Sequence, residues 1–402
     1  MLTTNVSQTH SPVRIDGINI LRGLSIFFVL MNHVNMRLFL AKAPYTAHWP
    51  AQLASSLVWN GQRGVQIFFC ISGFLIASTS IRRWGSLLQM RAGAFYVLRF
   101  ARIVPLLGAL LAILSLLHLC GVPGFVVSDR SGGLSGALVA ALTFRVNVLE
   151  AHLGYLPACW DILWSLSVEE TFYLFFPVVC IFLGRTRWLY GLLAIFVALG
   201  PFGRTVFAQG NEVWAEVSYL GSMDAIALGV LTALVTSRVQ FSRTMLKWLA
   251  ILGGLVLMVT LGLTRTLNHW GLNAVGMDMT LLAIGTCLLI VAAAQSRWQA
   301  PRFLYPLLKL GERSYEIYLT HMFVIIALYQ VFVRLGSPLE WVPALFLVSI
   351  VVSALLGEAV SRWFSEPMNT WLRMRMRSKR EGQPEPNRIP WTQSAWRGDI
   401  NG

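Results

Sequence analysis

An arginine and a histidine lie inside the first long apolar stretch of the sequence, residues 18–40. Arg22 and His33 are eleven residues apart, and because a helix turns once about every 3.6 residues, the two side chains share nearly one helix face. Lipid is a poor solvent for both groups, and ionisable residues within a membrane helix usually serve a function. A neutral imidazole can accept a proton near pH 7, which suits a general base. The pair favours proton-transfer chemistry within a membrane; the alternatives are an arginine that reaches the surface and a histidine that only packs.

A pair of carboxylates lies within another stretch that is otherwise apolar, residues 160–183. Glu169 and Glu170 are adjacent, and aromatic and aliphatic side chains follow them. Charged groups at this depth should face the interior of a helical bundle or a wet cavity rather than lipid. The alternative to a catalytic role is a structural ion pair, with Arg22 or Arg63 as the partner.

Two arginines three residues apart lie near the start of the third apolar stretch, residues 98–120. Residues at positions i and i+3 of a helix share a face, so Arg99 and Arg102 would present their guanidinium groups together. Arginine matches the geometry of phosphate oxygens, and the pair therefore suits a phosphate clamp. Ordinary positive charge at the cytoplasmic end of a membrane helix is the competing interpretation.

Two further motifs lie in other apolar stretches. Tyr315 and His321 lie within two turns of the start of the stretch 315–334, where a histidine can also serve only in packing. Ser72 and Gly73 lie in the middle of the second stretch, where small residues allow close helix approach. We favour packing over a nucleophilic role for this serine.

The composition indicates which elements position these residues. Of the 402 residues, 56% are hydrophobic and 12% are charged, whereas soluble proteins carry roughly 25% charged residues. Repeated apolar runs of about 20 residues predict an all-α, polytopic transmembrane helical bundle, since only helices and closed barrels satisfy their backbone in lipid. We predict ten spans, at 18–40, 60–80, 98–120, 160–183, 188–203, 218–236, 248–264, 278–295, 315–334 and 341–363.

The distribution of arginine and lysine predicts the orientation. These residues concentrate in every second loop between the predicted spans, and such loops are expected on the cytoplasmic side. The pattern fits an even number of spans with both termini in the cytoplasm. The net charge of +14 is then mostly a topological signal, and nothing indicates nucleic-acid binding. We divide the chain into a cytoplasmic segment at 1–13, a membrane domain at 14–367 and a basic, disordered cytoplasmic tail at 368–402. Pro367 is expected to end the last helix.

Taken together, the motifs resemble those of the acyltransferase-3 family of membrane O-acyltransferases. The resemblance spans residues 14 to 367, and six motifs follow one another in the family's order. The matching residues are Arg22-x10-His33, the Ser72-Gly73-Phe74-Leu75 segment, Arg99-x-x-Arg102, the stretch from Trp164 through Ser167, Glu169 and Glu170 to Tyr173, the stretch Ser314-Tyr315-x-Ile317-Tyr318-Leu319-x-His321, and Glu366-Pro367.

The resemblance implies about ten core helices in the bacterial cytoplasmic (inner) membrane. It also implies transfer of an acyl group, usually acetyl, from acyl-CoA, with no permanently bound cofactor and no metal. The acceptors in this family are usually hydroxyls of surface carbohydrates such as the O-antigen of lipopolysaccharide, exopolysaccharide or peptidoglycan. Small secondary metabolites and lipid head groups are alternative acceptors. A glycan or lipid transporter and a structural or sensory membrane subunit are the alternatives from other classes.

On this resemblance, each motif receives an expected role. Arg22, Arg99 and Arg102 would bind the phosphates of acyl-CoA. His33 would act as a base on the acceptor hydroxyl or carry the acyl group itself. Either Glu169 or Glu170 would orient its imidazole or keep it charged. The supporting residues are Ser72, Trp164, Ser167, Tyr173, Tyr315 and His321, with Tyr173 or Ser167 as candidates for stabilising an oxyanion.

Overall fold

A computed structural model describes residues 15–184, 187–296 and 298–381, and it gives no side-chain description for 377–381. Within these ranges every regular element is helical. Among the described residues, nine helical segments are long and apolar enough to cross a membrane, and the predicted polytopic helical bundle is confirmed.

The described helices are α1 (Asp16–Leu40), α2 (Ala51–Val58), α3 (Gly61–Trp84), α4 (Ala92–Leu119), α5 (Gly133–Leu142), α6 (Val146–Leu153), α7 (Ala158–Asp161), α8 (Leu163–Leu183), α9 (Arg187–Arg204), α10 (Glu212–Val217), α11 (Tyr219–Arg238), α12 (Arg243–Gly262), α13 (Thr264–His269), α14 (Met277–Gln295), α15 (Tyr305–Glu312), α16 (Ser314–Arg334), α17 (Val342–Val360) and α18 (Glu366–Glu381). Short 3₁₀ turns lie at Asp129–Ser131, Val206–Ala208, Arg302–Leu304 and Leu339–Trp341, and a π turn lies at Ser361–Ser365.

Nine of the ten predicted spans coincide with these nine segments. The remaining one, 188–203, corresponds to α9, a helix of 18 residues. This helix is amphipathic in sequence, with an arginine at each end, and it falls outside the set of nine. It packs against α11, and if it is counted as a span, the nine segments become ten, the even number that was predicted. The cytoplasmic location of the termini stays a prediction.

The end of the membrane domain differs from the prediction. Pro367 does not stop a helix, because it is the second residue of α18, where a missing backbone N–H costs no hydrogen bond. The π turn joins α17 to α18, and Arg313 holds the junction by binding both Glu358 and Glu366. The helix runs to Glu381, so the first residues of the tail predicted at 368–402 are helical. The predicted segment 1–13 and the tail beyond 381 lie outside the described residues.

Helix α1 lies at the centre of the site because it packs against α3, α14, α15, α16 and α17. Its approach to α15 is close enough for backbone contact. A Cβ atom at Gly23 would overlap the carbonyl oxygen of Leu307, and one at Gly311 would overlap that of Asn19. Similarly, a Cβ at Gly73 would overlap the backbone of α11 at Ile226. The predicted packing role of the Ser-Gly motif agrees with this contact.

Candidate active site

The two motif histidines contact each other across the bundle. Nδ1 of His33 on α1 lies 3.1 Å from Nε2 of His321 on α16, and the ring centroids are 4.9 Å apart. His321 is fully buried, whereas His33 is partly exposed. The sequence offered a packing role as the alternative for each histidine, and the structure instead joins the two rings directly.

Backbone carbonyl groups fix the protonation of this histidine pair. Nδ1 of His321 lies 2.7 Å from the carbonyl oxygen of Tyr318, and since a carbonyl only accepts, this nitrogen carries the hydrogen. Nε2 of His321 is then the acceptor in the neutral ring. Nδ1 of His33 therefore donates, both to His321 and to the carbonyl oxygen of Val29 at 2.9 Å. The lone pair of His33 is consequently on Nε2, which makes no hydrogen bond to the described residues.

The expected hydrogen bond from a glutamate to His33 is not formed in the described part of the chain. Glu169 accepts hydrogen bonds from the hydroxyl groups of Ser72 and Tyr173 instead. Glu170 is 8% exposed, and its Oε1 has no hydrogen-bond partner among the described residues. Both carboxylates line the arginine-rich cavity described next, whereas His33 does not.

A cavity of about 1010 Å³ opens beside these carboxylates. We call it the arginine cavity, because seven arginines line it: Arg22, Arg82, Arg83, Arg99, Arg102, Arg313 and Arg373. Glu169, Glu170, Ser72 and Tyr173 line it too. Ligand pockets are typically roughly 300–1,000 Å³, so this cavity has room for a large anionic ligand.

The three arginines predicted from the sequence are held in place around this cavity. Nε of Arg22 donates to Oγ of Ser314 at 3.0 Å, and its terminal amino groups make no hydrogen bond to the described residues. The guanidinium carbon of Arg99 lies 4.2 Å from the ring centroid of Tyr173. That of Arg102 lies 5.7 Å from the ring of Tyr315. Cation–π contacts of this kind orient a guanidinium without neutralising its charge.

A hydrogen bond between two hydroxyl groups marks the inner end of the arginine cavity. The hydroxyl oxygen of Tyr318 lies 2.7 Å from Oγ of Ser165, and it donates to the carbonyl oxygen of Ile162 at 3.0 Å. Both Tyr318 and Ser165 line the cavity, whereas neither His33 nor the histidine bound to it does. The Tyr318 side chain thus separates the arginine cavity from the histidine pair.

Two of the predicted supporting residues, Ser167 and Trp164, pack inside the protein and do not line the cavity. Oγ of Ser167 accepts the backbone N–H of Val146 and donates to the carbonyl oxygen of Leu163. Trp164 is buried against Phe69, with ring centroids 6.2 Å apart. Neither side chain lines the arginine cavity, so Ser167 is not positioned to stabilise an oxyanion there.

A polar cluster lies on the opposite side of the histidine pair, one turn farther along α1. Arg37 interacts electrostatically with Asp161, and Asp161 lies beside Glu150 of α6. The Glu150 side chain is fully buried, and its Oε1 accepts the backbone N–H of Leu156 at 3.2 Å. Burial, reinforced by the Asp161 carboxylate, raises the pKa of Glu150 to about 10, so this carboxyl group is protonated near neutral pH.

Two buried ion pairs were not recognised in the sequence, where the arginines were counted as loop charges or as partners for Glu169. Arg63 binds Asp278 at 2.8 Å. Arg204 binds Asp224 at 2.8 Å, and Thr280 donates to the same carboxylate at 2.6 Å. The alternative considered for Glu169 and Glu170, a structural ion pair with Arg22 or Arg63, is not formed in the described part of the chain. The first observed pair joins α3 to α14, and the second joins α9 to α11, with Thr280 of α14 bound to the same carboxylate. Both pairs have a structural role.

The fold and the site together define a class: a multi-pass helical membrane protein in which an arginine-lined cavity ends one side chain away from a pair of contacting histidines. The family follows from comparison with known proteins. The model of the acyltransferase-3 family, described as an acyltransferase domain, matches residues 15–359, and the chain belongs to this family.

Curated relatives have similar sequences over most of this chain. O-acetyltransferase OatA of Staphylococcus aureus strain NCTC 8325 is 22% identical over 378 residues, which cover 90% of this chain and 58% of that protein. A putative O-acetyltransferase of Staphylococcus aureus strain COL is 23% identical over 378 residues, covering 88% of this chain and 57% of that protein. The chain thus spans less than two thirds of the length of these relatives. No solved structure gives a significant match.

Proposed function

We propose that this chain is a membrane O-acyltransferase that moves an acyl group from acyl-CoA to a hydroxyl of a carbohydrate acceptor. Acetyl is the first candidate for the acyl group, and polysaccharides of the bacterial cell surface are the first candidate acceptors. The membrane would be the bacterial cytoplasmic (inner) membrane. The family match and the names of both relatives support this reaction class.

One observation carries the proposal: the arginine cavity ends one side chain away from a histidine whose Nε2 lone pair is free. Acyl-CoA is large and polyanionic, and guanidinium groups bind phosphate oxygens through paired hydrogen bonds. Arg22, Arg99 and Arg102 would hold the phosphates. The thioester would extend toward Tyr318, whose side chain would have to move for the acyl group to reach His33.

In the proposed reaction, Nε2 of His33 accepts the proton of the acceptor hydroxyl while the hydroxyl oxygen attacks the thioester carbonyl carbon. The carbon–sulfur bond then breaks, and the departing sulfur takes the proton from His33, so coenzyme A leaves as the thiol. The contact with His321 stabilises the charged ring during this step, because it accepts the Nδ1–H of His33. A route in which Nε2 first carries the acyl group uses the same lone pair and remains open.

The acceptor would approach from the other side of the histidine pair. His33 is partly exposed without lining the arginine cavity, and the cluster of Arg37, Asp161 and Glu150 lies on that side. Of these, Arg37 and Asp161 are partly exposed, and a guanidinium group beside a carboxylate can hydrogen-bond the hydroxyls of a sugar. A small secondary metabolite or a lipid head group is the alternative acceptor.

The test uses purified protein in lipid vesicles, radiolabelled acetyl-CoA and a surface polysaccharide. His33→Ala should lower acetyl transfer by about 10²–10⁴-fold, which is the usual contribution of a general base. His48→Ala is the matched control, because His48 is exposed and outside the site. Transfer that persists at the wild-type rate in His33→Ala would overturn the catalytic role.

The same vesicles test the transporter alternative. A transporter would move the labelled glycan across the bilayer without cleaving the thioester, whereas an acyltransferase would release free coenzyme A thiol with each transfer. Mass spectrometry of surface glycans, with and without the gene, would then identify the acceptor by the mass of the added acyl group.

A further inference from the structure

We propose that Arg373 of α18, together with Arg83, forms a second anion subsite at the mouth of the arginine cavity that binds the ribose 3′-phosphate of the acyl-CoA donor. This inference rests on the proposed function, because it takes a coenzyme A thioester as the donor. It concerns a helix beyond residue 359, where the family match ends.

The geometry of the cavity mouth supports this subsite. Helix α18 packs against α4, the helix that carries Arg99 and Arg102. Its exposed Arg373 lines the arginine cavity, as do Arg82 and Arg83 at the end of α3. The guanidinium group of Arg373 lies within electrostatic range of those of Arg83, Arg99 and Arg102. Three separate helices thus bring like charges together at one opening.

Within the described part of the chain, carboxylates lie only within electrostatic range of these guanidinium groups, with Glu170 near Arg99 and Arg102 and Glu316 near Arg102. Among the described residues, none of Arg83, Arg99, Arg102 and Arg373 forms an ion pair with a carboxylate, although Arg313 at the same cavity binds two glutamates. Like charges held close together repel one another, and a bound anion removes that repulsion. Ordinary positive charge at the end of a membrane helix would not require the side chains to converge on a cavity.

The chemistry of the donor indicates which phosphate meets which arginine. In coenzyme A the thiol and the adenosine are at opposite ends, with the pyrophosphate between them and the 3′-phosphate on the ribose. If the thioester points toward Tyr318, the pyrophosphate lies near Arg99 and Arg102. The 3′-phosphate then lies at the mouth, where Arg83 and Arg373 are.

The test measures binding of coenzyme A and of dephospho-coenzyme A, which lacks only the 3′-phosphate, to the full chain in lipid nanodiscs. The wild-type protein should bind coenzyme A about tenfold more tightly, since one exposed arginine–phosphate contact contributes modestly. Arg373→Gln should lose most of this preference while its affinity for dephospho-coenzyme A stays unchanged. Arg373→Lys should lose part of it, because lysine keeps the charge without the paired donors.

Arg375→Gln is the matched control. It removes the same charge from the same helix, but Arg375 stacks on Trp371, 5.0 Å from the ring centroid, and does not line the cavity. This variant should keep the wild-type preference for coenzyme A. The subsite is ruled out if Arg373→Gln and Arg373→Lys both retain the wild-type preference, or if the wild-type protein has none. Failure of the wild-type protein to bind either compound would overturn the proposed donor itself.

Discussion

Nδ1 of His33 lies 3.1 Å from Nε2 of His321, and this contact joins helix α1 to helix α16 at the inner end of the site. His321 in turn is held by the carbonyl oxygen of Tyr318. In the catalytic triads of hydrolases a carboxylate holds the basic histidine through the same nitrogen. Here a second, neutral imidazole occupies the position of that carboxylate.

His321 should therefore act as a positioning residue for His33. We expect His321→Ala to lower kcat about tenfold or more while the KM for acetyl-CoA stays unchanged, because the acceptor of the His33 Nδ1–H is removed. In His321→Gln the side-chain oxygen can take the place of Nε2, and kcat should recover in part. Steady-state kinetics checks both values. Equal kcat in the alanine and glutamine variants, at equal thermal stability, would contradict this role.

The sequence predicted the spans and the shared face of Arg22 and His33, because hydropathy and helical period are local properties. It did not predict the partner of His33. Which side chain meets His33 depends on how far α1, α8 and α16 are shifted along their axes relative to one another. An error of one turn in this shift moves a side chain by about 5.4 Å. The ion pair between Arg204 and Asp224 was missed because it also depends on how two helices are placed against each other. Neither residue type indicates in the sequence that the other one faces it.

Glu169 should support binding of the acyl-CoA donor rather than orient His33. Its Oε1 accepts from Ser72 and Tyr173, and the Tyr173 ring supports Arg99. Glu169→Ala should raise the KM for acetyl-CoA about tenfold, since two hydrogen bonds of about 0.5–1.5 kcal/mol each are lost. Glu169→Gln keeps an accepting Oε1 and should stay within about threefold of wild type. A fall in kcat without a change in KM would argue for a direct role in the chemistry instead.

The buried pair of Arg204 and Asp224 should stabilise the fold, because each charge neutralises the other. Their side chains are 10% and 0% exposed, and removing one partner of a buried pair typically costs about 3–5 kcal/mol. Arg204→Met should therefore lower the thermal unfolding midpoint in detergent strongly. The double variant Arg204→Met, Asp224→Asn leaves no buried charge and should unfold at a higher temperature than Arg204→Met alone. A double variant that is less stable than both single variants would contradict this account.

Glu150 should make the fold less stable as the pH rises. The pKa of Glu150 is raised to about 10 in the folded chain, against about 4.3 when exposed. Between these values the folded state holds a proton that the unfolded state has lost, so the free energy of unfolding falls with pH, by up to about 1.4 kcal/mol per pH unit.

Glu150→Gln should remove this slope, because an amide does not titrate and can still accept the N–H of Leu156. Thermal unfolding measured from pH 5 to pH 9 checks the prediction. The unfolding midpoint of the variant should exceed that of wild type most clearly at pH 9. Glu340→Gln, at an exposed position, serves as the control for the change of charge. Parallel pH dependence in wild type and Glu150→Gln would refute the expected protonation.

The hydrogen bond between Ser165 and Tyr318 has a consequence for the cell that contains this protein. A wet passage open to both compartments would let protons flow down their gradient and waste respiratory energy. In the structure the passage is interrupted at these two hydroxyl groups, on the arginine side of His33. In the proposed reaction, the two side chains that must part for an acyl group to pass would also keep this passage closed to protons between turnovers.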